Sequence, residues 1–259
     1  MKKKALQYIA SEKGAIIKNR KNRLKIALIY PNSYQIGMSN LGFQAVYKII
    51  NGFDHILCER GFLYPSGTIE TGGKISDFDI IAFSVSFETD YPNIYKILID
   101  AKIPAFAKKR EDKFPLIIAG GVACFLNPES VAPFIDAFLI GEAEELLPDF
   151  FKKIDNIGRL KANLAWLARN IKGFYAPKFY SDSYKSNKKR ETIGDVPETI
   201  ERVFAKNFAM QEPAQTSVLT PNTAFADTCL IETERGCPYK CKFCAIGYIY
   251  GQPRYIKPD

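Results

Sequence analysis

Three cysteines close together in the C-terminal part of the chain have the residue type and the spacing of a metal site. Cys237, Cys241 and Cys244 fall within eight residues of sequence. Because four residues of extended chain span at most about 14 Å, the three sulfur atoms can reach one compact centre. Gly236 relaxes the backbone that enters this loop, and Pro238 stiffens the backbone after the first cysteine.

The charges beside these cysteines favour metal binding. Arg235, Lys240 and Lys242 are expected to surround the thiols with positive charge, which favours the thiolate form that ligates iron. Clusters of the 4Fe-4S type usually take four cysteines. Three cysteines would leave one iron without a protein ligand, and such an open position on a metal can bind a cofactor or substrate.

The remaining cysteines, Cys58, Cys124 and Cys229, are scattered along the chain and are expected to be small buried apolar residues. A zinc site with Cys229 as its fourth ligand is an alternative, although structural zinc sites normally pair two short cysteine hooks. A thioredoxin-like redox pair is a weaker alternative, because a third cysteine follows the other two so closely.

Strand and helix patterns alternate in the sequence before the cysteine loop and predict the fold of the region that precedes it. Apolar, β-branched segments predict buried strands at residues 24–30, 55–59, 78–86, 114–119 and 135–140. Helical periodicity predicts helices at residues 41–50, 91–101, 141–154 and 160–171. Such alternation predicts an α/β fold with a Rossmann-like, doubly wound parallel sheet.

The domain organisation follows from changes in composition along the chain. We expect an N-terminal extension at residues 1–23, the Rossmann-like domain at 24–172 and a Pro-, Ser- and Asn-rich linker at 173–226. Residues 227–259 begin a second domain, in which Asp227–Thr233 is predicted to form a strand directly before the cysteine loop.

Small and polar residues at the predicted strand ends indicate a second site. Ser84, Ser86, Gly120 and Gly121 follow two strands, and open α/β sheets bind ligands beyond the carboxyl ends of their strands. The two glycines would let a flat cofactor or a nucleotide approach the backbone closely. The alternative interpretation is that these residues form ordinary strand ends and turns.

The cysteine loop resembles that of the radical S-adenosylmethionine (radical SAM) superfamily, through its spacing, the preceding Glu-Arg-Gly and the aromatic Phe243. The resemblance implies that Cys237, Cys241 and Cys244 hold a 4Fe-4S cluster and that S-adenosylmethionine chelates the fourth iron. It implies that Phe243 lies near the adenine and that reductive cleavage yields a 5′-deoxyadenosyl radical. An electron donor such as a flavodoxin or ferredoxin is the implied partner.

The N-terminal part is similar to the cobalamin-binding-like domain that precedes one branch of this superfamily. The similar pieces are residues 30–42, 83–86, 119–121 and 141–144. The resemblance makes cobalamin a candidate cofactor of Ser84, Ser86, Gly120 and Gly121. However, the loop after the first strand lacks the histidine that ligates cobalt, and the chain's one histidine, His55, is expected to be an ordinary buried or edge residue.

The resemblance covers only the first βα unit of the catalytic barrel, and a full barrel takes about 250 residues. We therefore expect a truncated fragment, inactive alone, whose barrel a second chain could complete. The catalytic residues and the substrate are not indicated. Two alternatives stay open: a corrinoid- or nucleotide-binding module with a non-functional cysteine segment, and a zinc-binding interaction protein.

Composition and charge exclude several other classes of protein. The net charge of +8 is spread over short runs, with no helix-turn-helix or zinc-finger spacing, so nucleic acid is not indicated. No apolar run is long enough to span a bilayer. The N-terminal apolar stretch is broken by Gln7, Ser11 and Glu12, which argues against a secretory signal and predicts a cytoplasmic protein without a membrane partner.

Overall fold

A six-stranded sheet organises the protein in a computed structural model that describes residues 2–155, 160–184, 190–239 and 241–257. Its strand order is β2-β1-β3-β4-β5-β6, with β1 to β5 parallel and β6 antiparallel to β5. The strands are β1 (Leu24–Tyr30), β2 (Ile56–Phe62), β3 (Ile80–Ser84), β4 (Leu116–Gly120), β5 (Ala137–Leu139) and β6 (Phe174–Tyr175). The predicted α/β fold with a largely parallel sheet is confirmed.

Helices cover both faces of this sheet. They are α1 (Lys2–Ser11), α2 (Tyr34–Met38), α3 (Leu41–Asn51), α4 (Tyr91–Asp100), α5 (Val122–Leu126), α6 (Ala143–Ile154) and α7 (Leu164–Asn170). Side chains alternate along β1: Leu28 joins the core beneath α3, α6 and α7, whereas Ile29 joins the core beneath α4 and α5. This double burial explains why the strands are nearly continuous apolar runs.

The helix of the first crossover, α3, begins at a defined cap. The Asn40 side chain accepts a hydrogen bond of 2.9 Å from the Phe43 N–H, as expected of an N-cap residue. Helix α3 then carries the chain from β1 to β2, while the chain reaches β4 from β3 on the opposite side. The sheet therefore has a topological switch point between β1 and β3.

The region predicted as a linker contributes to the folded body. Strand β6 extends the sheet beyond residue 172, and β7 (Tyr180–Tyr184) pairs with β8 (Arg190–Thr192). Further along, Val218 and Thr220 are buried. These residues pack because they contact the N-terminal extension and α3, through the bridge from Lys13 to Leu219 and the hydrogen bonds of Gln44.

The prediction of a strand at Asp227–Thr233 is wrong. Their β pairing is limited to an isolated bridge from Ile231 to Gln215, with backbone bonds from Thr216 N to Leu230 O and from Glu232 N to Ala214 O. No other strand of the described residues pairs alongside to continue the ladder. The regular pairing begins later, between β9 (Glu234–Arg235) and β10 (Arg254–Tyr255), which flank the short helix α8 (Ile246–Ile249).

None of the helices in the described ranges is both long enough and apolar enough to cross a membrane.

Candidate functional site

The cysteine loop joins β9 to α8 and is closed at its base by β10. The Cys237 N–H donates to Gly251 O at 3.2 Å, and the Cys244 N–H donates to Cys241 O at 3.1 Å. Gly236 has a φ of 109°, and a Cβ atom there would lie 2.7 Å from Gln252 O. The backbone freedom expected of Gly236 is therefore required for the loop to close on β10.

The three cysteines of the loop are partly exposed, and their thiols are free. Within the part of the chain that the structure describes, no three His, Cys, Asp or Glu side chains are placed to hold a metal ion. The donor chemistry of three thiols on one short loop fits an iron–sulfur cluster, whereas the geometry is not preformed. The Phe243 side chain beside the last cysteine is 94% exposed, so little packing fixes its ring.

Arg235 was expected to surround the thiols with positive charge. This prediction is wrong, because the guanidinium of Arg235 is engaged by carboxylates. Its Nε donates to Glu232 Oε1 at 2.8 Å, its Nη2 donates to Glu144 Oε1 at 2.7 Å, and its Nη1 lies 3.3 Å from Glu142 Oε2. Burial disfavours the charged form, but the bonds to Glu232 and Glu144 outweigh it and raise the pKa of Arg235. Lys240 lies outside the described residues.

Arg254 binds the same group of acids from the partner strand. It donates from both terminal nitrogens to Glu142, with 3.0 Å between Nη1 and Oε2. The buried Glu142 also accepts from the Ala205 N–H at 2.7 Å. Burial opposes ionisation, but the hydrogen bonds from Arg254 and Ala205 and the charge of Arg235 prevail, so the pKa of Glu142 is lowered.

A cavity of about 480 Å³ lies beside these charges at the switch point between β1 and β3. Ser84, Ser86, Gly120 and Gly121 all line it, so the structure brings the four predicted residues together. Its inner part lies between the sheet and helices α3 and α6. The apolar residues there include Leu28, Ala45, Val46, Ile118, Leu146 and Phe151.

The cysteine segment forms part of the cavity wall. Ile246 and Tyr250, which lie in α8 and directly after it, line the cavity together with Arg235. The Tyr250 ring contacts Phe125 of α5 edge to face, with centroids 6.4 Å apart. The candidate cluster loop and the candidate ligand cavity are therefore neighbours, which the sequence pattern alone did not predict.

Polar groups at the cavity mouth are held in fixed positions. Asn40 Nδ2 donates to Ser86 Oγ at 3.1 Å, between the ends of β1 and β3. Gly121 adopts a φ of 100°, and a Cβ atom at this position would lie 2.5 Å from Val85 O. Glycine is therefore needed at Gly121 for the two strand ends to approach each other.

Sequence reasoning missed the charged group formed by Glu142, Glu144, Glu232 and Arg254. Some of these residues stand in or beside two short segments that the sequence interpretation used, residues 141–144 (Gly-Glu-Ala-Glu) and 234–236 (Glu-Arg-Gly), although their spatial proximity was not inferable from spacing. The remaining cysteines follow expectation in part. Cys58 and Cys124 are buried as predicted, whereas Cys229 is exposed because residues 227–233 are not part of a covered sheet.

His55 lies away from the cavity. Its Nε2 is 3.7 Å from Asp155 Oδ1, and its side chain is 46% exposed. It precedes β2 at the end of the sheet opposite the cavity, since β2 is parallel to β1. The residue is therefore at a surface position, so of the two ordinary positions expected for it, buried or at an edge, the buried one is wrong.

Comparison with known proteins adds a family and one relative. Residues 42–177 match the family described as radical SAM proteins, N-terminal. An uncharacterized protein of Methanocaldococcus jannaschii is 27% identical over 234 residues, which covers 90% of this chain and 44% of that protein. The chain thus spans less than half the length of this relative. No solved structure matches the chain.

Proposed function

The chain belongs to the family of N-terminal regions of radical SAM proteins, and we propose that its cysteine loop binds a 4Fe-4S cluster through Cys237, Cys241 and Cys244. The observation that carries the proposal is the placement of three thiols on one loop, whose base is closed by β9 and β10 beside the cavity at the strand ends. Such a cluster, when bound, would supply the one electron that breaks the C5′–S bond of S-adenosylmethionine and yields methionine and a 5′-deoxyadenosyl radical.

The chain's own residues would provide ligands and an open position. Three thiolates leave one iron of the cluster without a protein ligand, which is where S-adenosylmethionine would bind. The exposed Phe243 ring is free to contact the adenine. Because metal binding is coupled to folding, formation of the cluster would draw the three cysteines together.

The activity proposed for the whole protein is that of a radical SAM enzyme. An external electron donor of the flavodoxin or ferredoxin type would reduce the cluster. Completion of the barrel, by further residues or by a second chain, would supply the substrate contacts. The substrate itself is not assigned.

The test is anaerobic reconstitution of the chain with iron and sulfide, followed by metal analysis and electron paramagnetic resonance of the reduced sample. We expect about four irons per chain and a signal that shifts when S-adenosylmethionine is added. Cys241→Ala should abolish this signal. Cys229→Ala, which removes an exposed thiol of the same segment outside the loop, should leave it intact.

Binding of zinc in place of iron would contradict the proposal and favour the zinc-binding alternative. Equal loss of signal in the Cys241→Ala and Cys229→Ala variants would also contradict it, since the cluster would then not depend specifically on the loop.

The cavity favours a second candidate function, the binding of a corrinoid or a nucleotide. It lies at the switch point where open α/β sheets bind ligands, and glycines and serines line its mouth. Titration with cobalamin and with adenosine monophosphate, followed by absorbance and calorimetry, would test this. Ala45→Leu fills the cavity and should abolish binding, whereas Ala226→Leu, at an exposed position elsewhere, should not. Unchanged binding by both variants would place the ligand outside this cavity.

A further inference from the structure

Two arginines and three glutamates join the cysteine segment to the first domain, and we name Arg235, Arg254, Glu142, Glu144 and Glu232 the arginine–glutamate clamp. Arg235 and Arg254 lie directly opposite each other in the β9–β10 ladder. Glu142 and Glu144 lie where β5 leads into α6. The clamp therefore connects the two strands that flank the cysteine loop with the carboxyl edge of the main sheet.

We propose that Arg235 and Arg254 are positioning residues, which hold the cysteine loop against the cavity mouth by binding Glu142 and Glu144. The structure shows where the loop lies. That this position serves an iron–sulfur cluster rests on the function proposed above. No thiol is needed for the clamp itself, so the two ideas can be tested separately.

The geometry distinguishes this clamp from an ordinary surface ion pair. Both terminal nitrogens of Arg235 contact Glu144, at 2.7 and 3.2 Å, and the side chain of Arg235 is only 12% exposed. The Glu142 side chain is 2% exposed and is bound by both arginines. Two-pronged arginine–carboxylate contacts of this kind fix orientation as well as distance.

Both cations lie against one aromatic ring. The guanidinium carbons of Arg235 and Arg254 lie 4.9 and 5.0 Å from the centroid of the buried Phe208 ring. Cations at this distance from a ring are attracted by its quadrupole. The linker thus contributes to the clamp, and Lys257 N extends the contact by donating to Ala209 O at 3.0 Å.

The clamp also forms part of the cavity. Glu142, Glu144, Glu232 and Arg235 all line it, as does Tyr250 after α8. If the clamp opened, the cysteine loop would lose its ion pairs with Glu142 and Glu144 at the carboxyl edge of the main sheet. Positioning by the clamp therefore explains why the segment with Glu142 and Glu144 meets the segment with Arg235 at the carboxyl edge of the main sheet.

Hydrogen exchange of the metal-free chain, read by mass spectrometry, tests the clamp. Glu144→Gln removes one charge of the clamp with little change in volume. It should speed exchange of the amides between residues 236 and 252 by about fivefold, because Arg235 loses the ion pair with Glu144 but keeps its contacts with Glu232 and Glu142. Exchange in β1 and α4 should not change. Glu144→Asp, which keeps the charge, should restore part of the protection.

Glu145→Gln is the matched control. Glu145 follows Glu144 in the same first turn of α6, but its partner is the exposed Lys206, at 2.8 Å. It should leave exchange in the cysteine loop unchanged. Equal effects of the two variants, or faster exchange throughout the protein in Glu144→Gln, would overturn the positioning role.

Iron content separates this proposal from the proposed function. Loop protection that depends on Glu144, in a chain that takes up no iron, would support the clamp and contradict the cluster. Iron uptake with an unprotected loop in the unaltered chain would support the cluster and contradict the clamp.

Discussion

The guanidinium of Arg60 lies 2.6 Å from the carboxylate of Glu12, and both side chains are completely buried. Arg60 belongs to β2, whereas Glu12 follows α1 in the N-terminal extension. Glu70 binds the same arginine at 2.7 Å. Burial disfavours the charged form of Arg60, but the charges of Glu70 and Glu12 prevail and raise its pKa. The extension is therefore fixed to the sheet by a buried ion network.

Glu12→Ala should destabilise the protein by about 3–5 kcal/mol, because it leaves part of a buried charge without its partner. Urea unfolding followed by circular dichroism measures this loss. Asp100→Ala is the control, since its ion pair with Lys96 is exposed to solvent, and it should have no measurable effect. Similar midpoints for the two variants would contradict a structural role for the buried pair.

Gly121→Ala should cost several kcal/mol, since the residue occupies a backbone region that is nearly restricted to glycine and the new Cβ would meet Val85 O. Gly194 also has a positive φ, of 83°, but a Cβ atom added there would have no other atom within 4 Å. Gly194→Ala should therefore cost only about 1 kcal/mol. Thermal unfolding of both variants measures this difference. Gly194→Ala reports the backbone strain alone, and Gly121→Ala reports the strain together with the steric contact.

Phe43→Ala and Phe243→Ala should differ strongly, although each removes one phenyl ring. Phe43 lies on the buried side of α3 and is fully buried, so its loss should cost about 3–5 kcal/mol. Phe243 is 94% exposed, so its loss should change stability by less than about 0.5 kcal/mol. Denaturant titration measures both. A large loss for Phe243→Ala would mean that its ring packs in solution.

Stability should decline above pH 9, in part because of Cys124. Burial raises the pKa of this thiol to about 12, from an ordinary value of 9.0. An unfolded chain therefore loses this proton first, so the contribution is fully present below pH 9 and is lost as pH rises toward 12. It amounts to roughly 4 kcal/mol at most. Cys124→Ala should show a shallower decline between these values in unfolding experiments, and identical pH profiles would contradict the assignment.

Much of the fold was predictable because its signals are local. The apolar run of β1 was predicted with the observed bounds, since a strand covered on both faces has little room for polar residues. The periodicity of residues 41–50 predicted α3, which begins at Leu41 as expected. The prediction of a strand at Asp227–Thr233 was wrong because strand formation also needs a neighbouring strand. Beyond one isolated bridge, these residues have none with which to continue a ladder.

The sequence by itself determined the α/β class, the family resemblance and the three cysteines that could ligate a cluster, because residue type and close spacing define them. Only the tertiary structure decided that Arg235 binds Glu144 rather than surrounding the thiols, and that α8 lies against the cavity. The contact between Arg235 and Glu144 joins residues that are 91 positions apart in the sequence. Such pairings depend on how the strands and helices pack, which no local pattern of residues encodes.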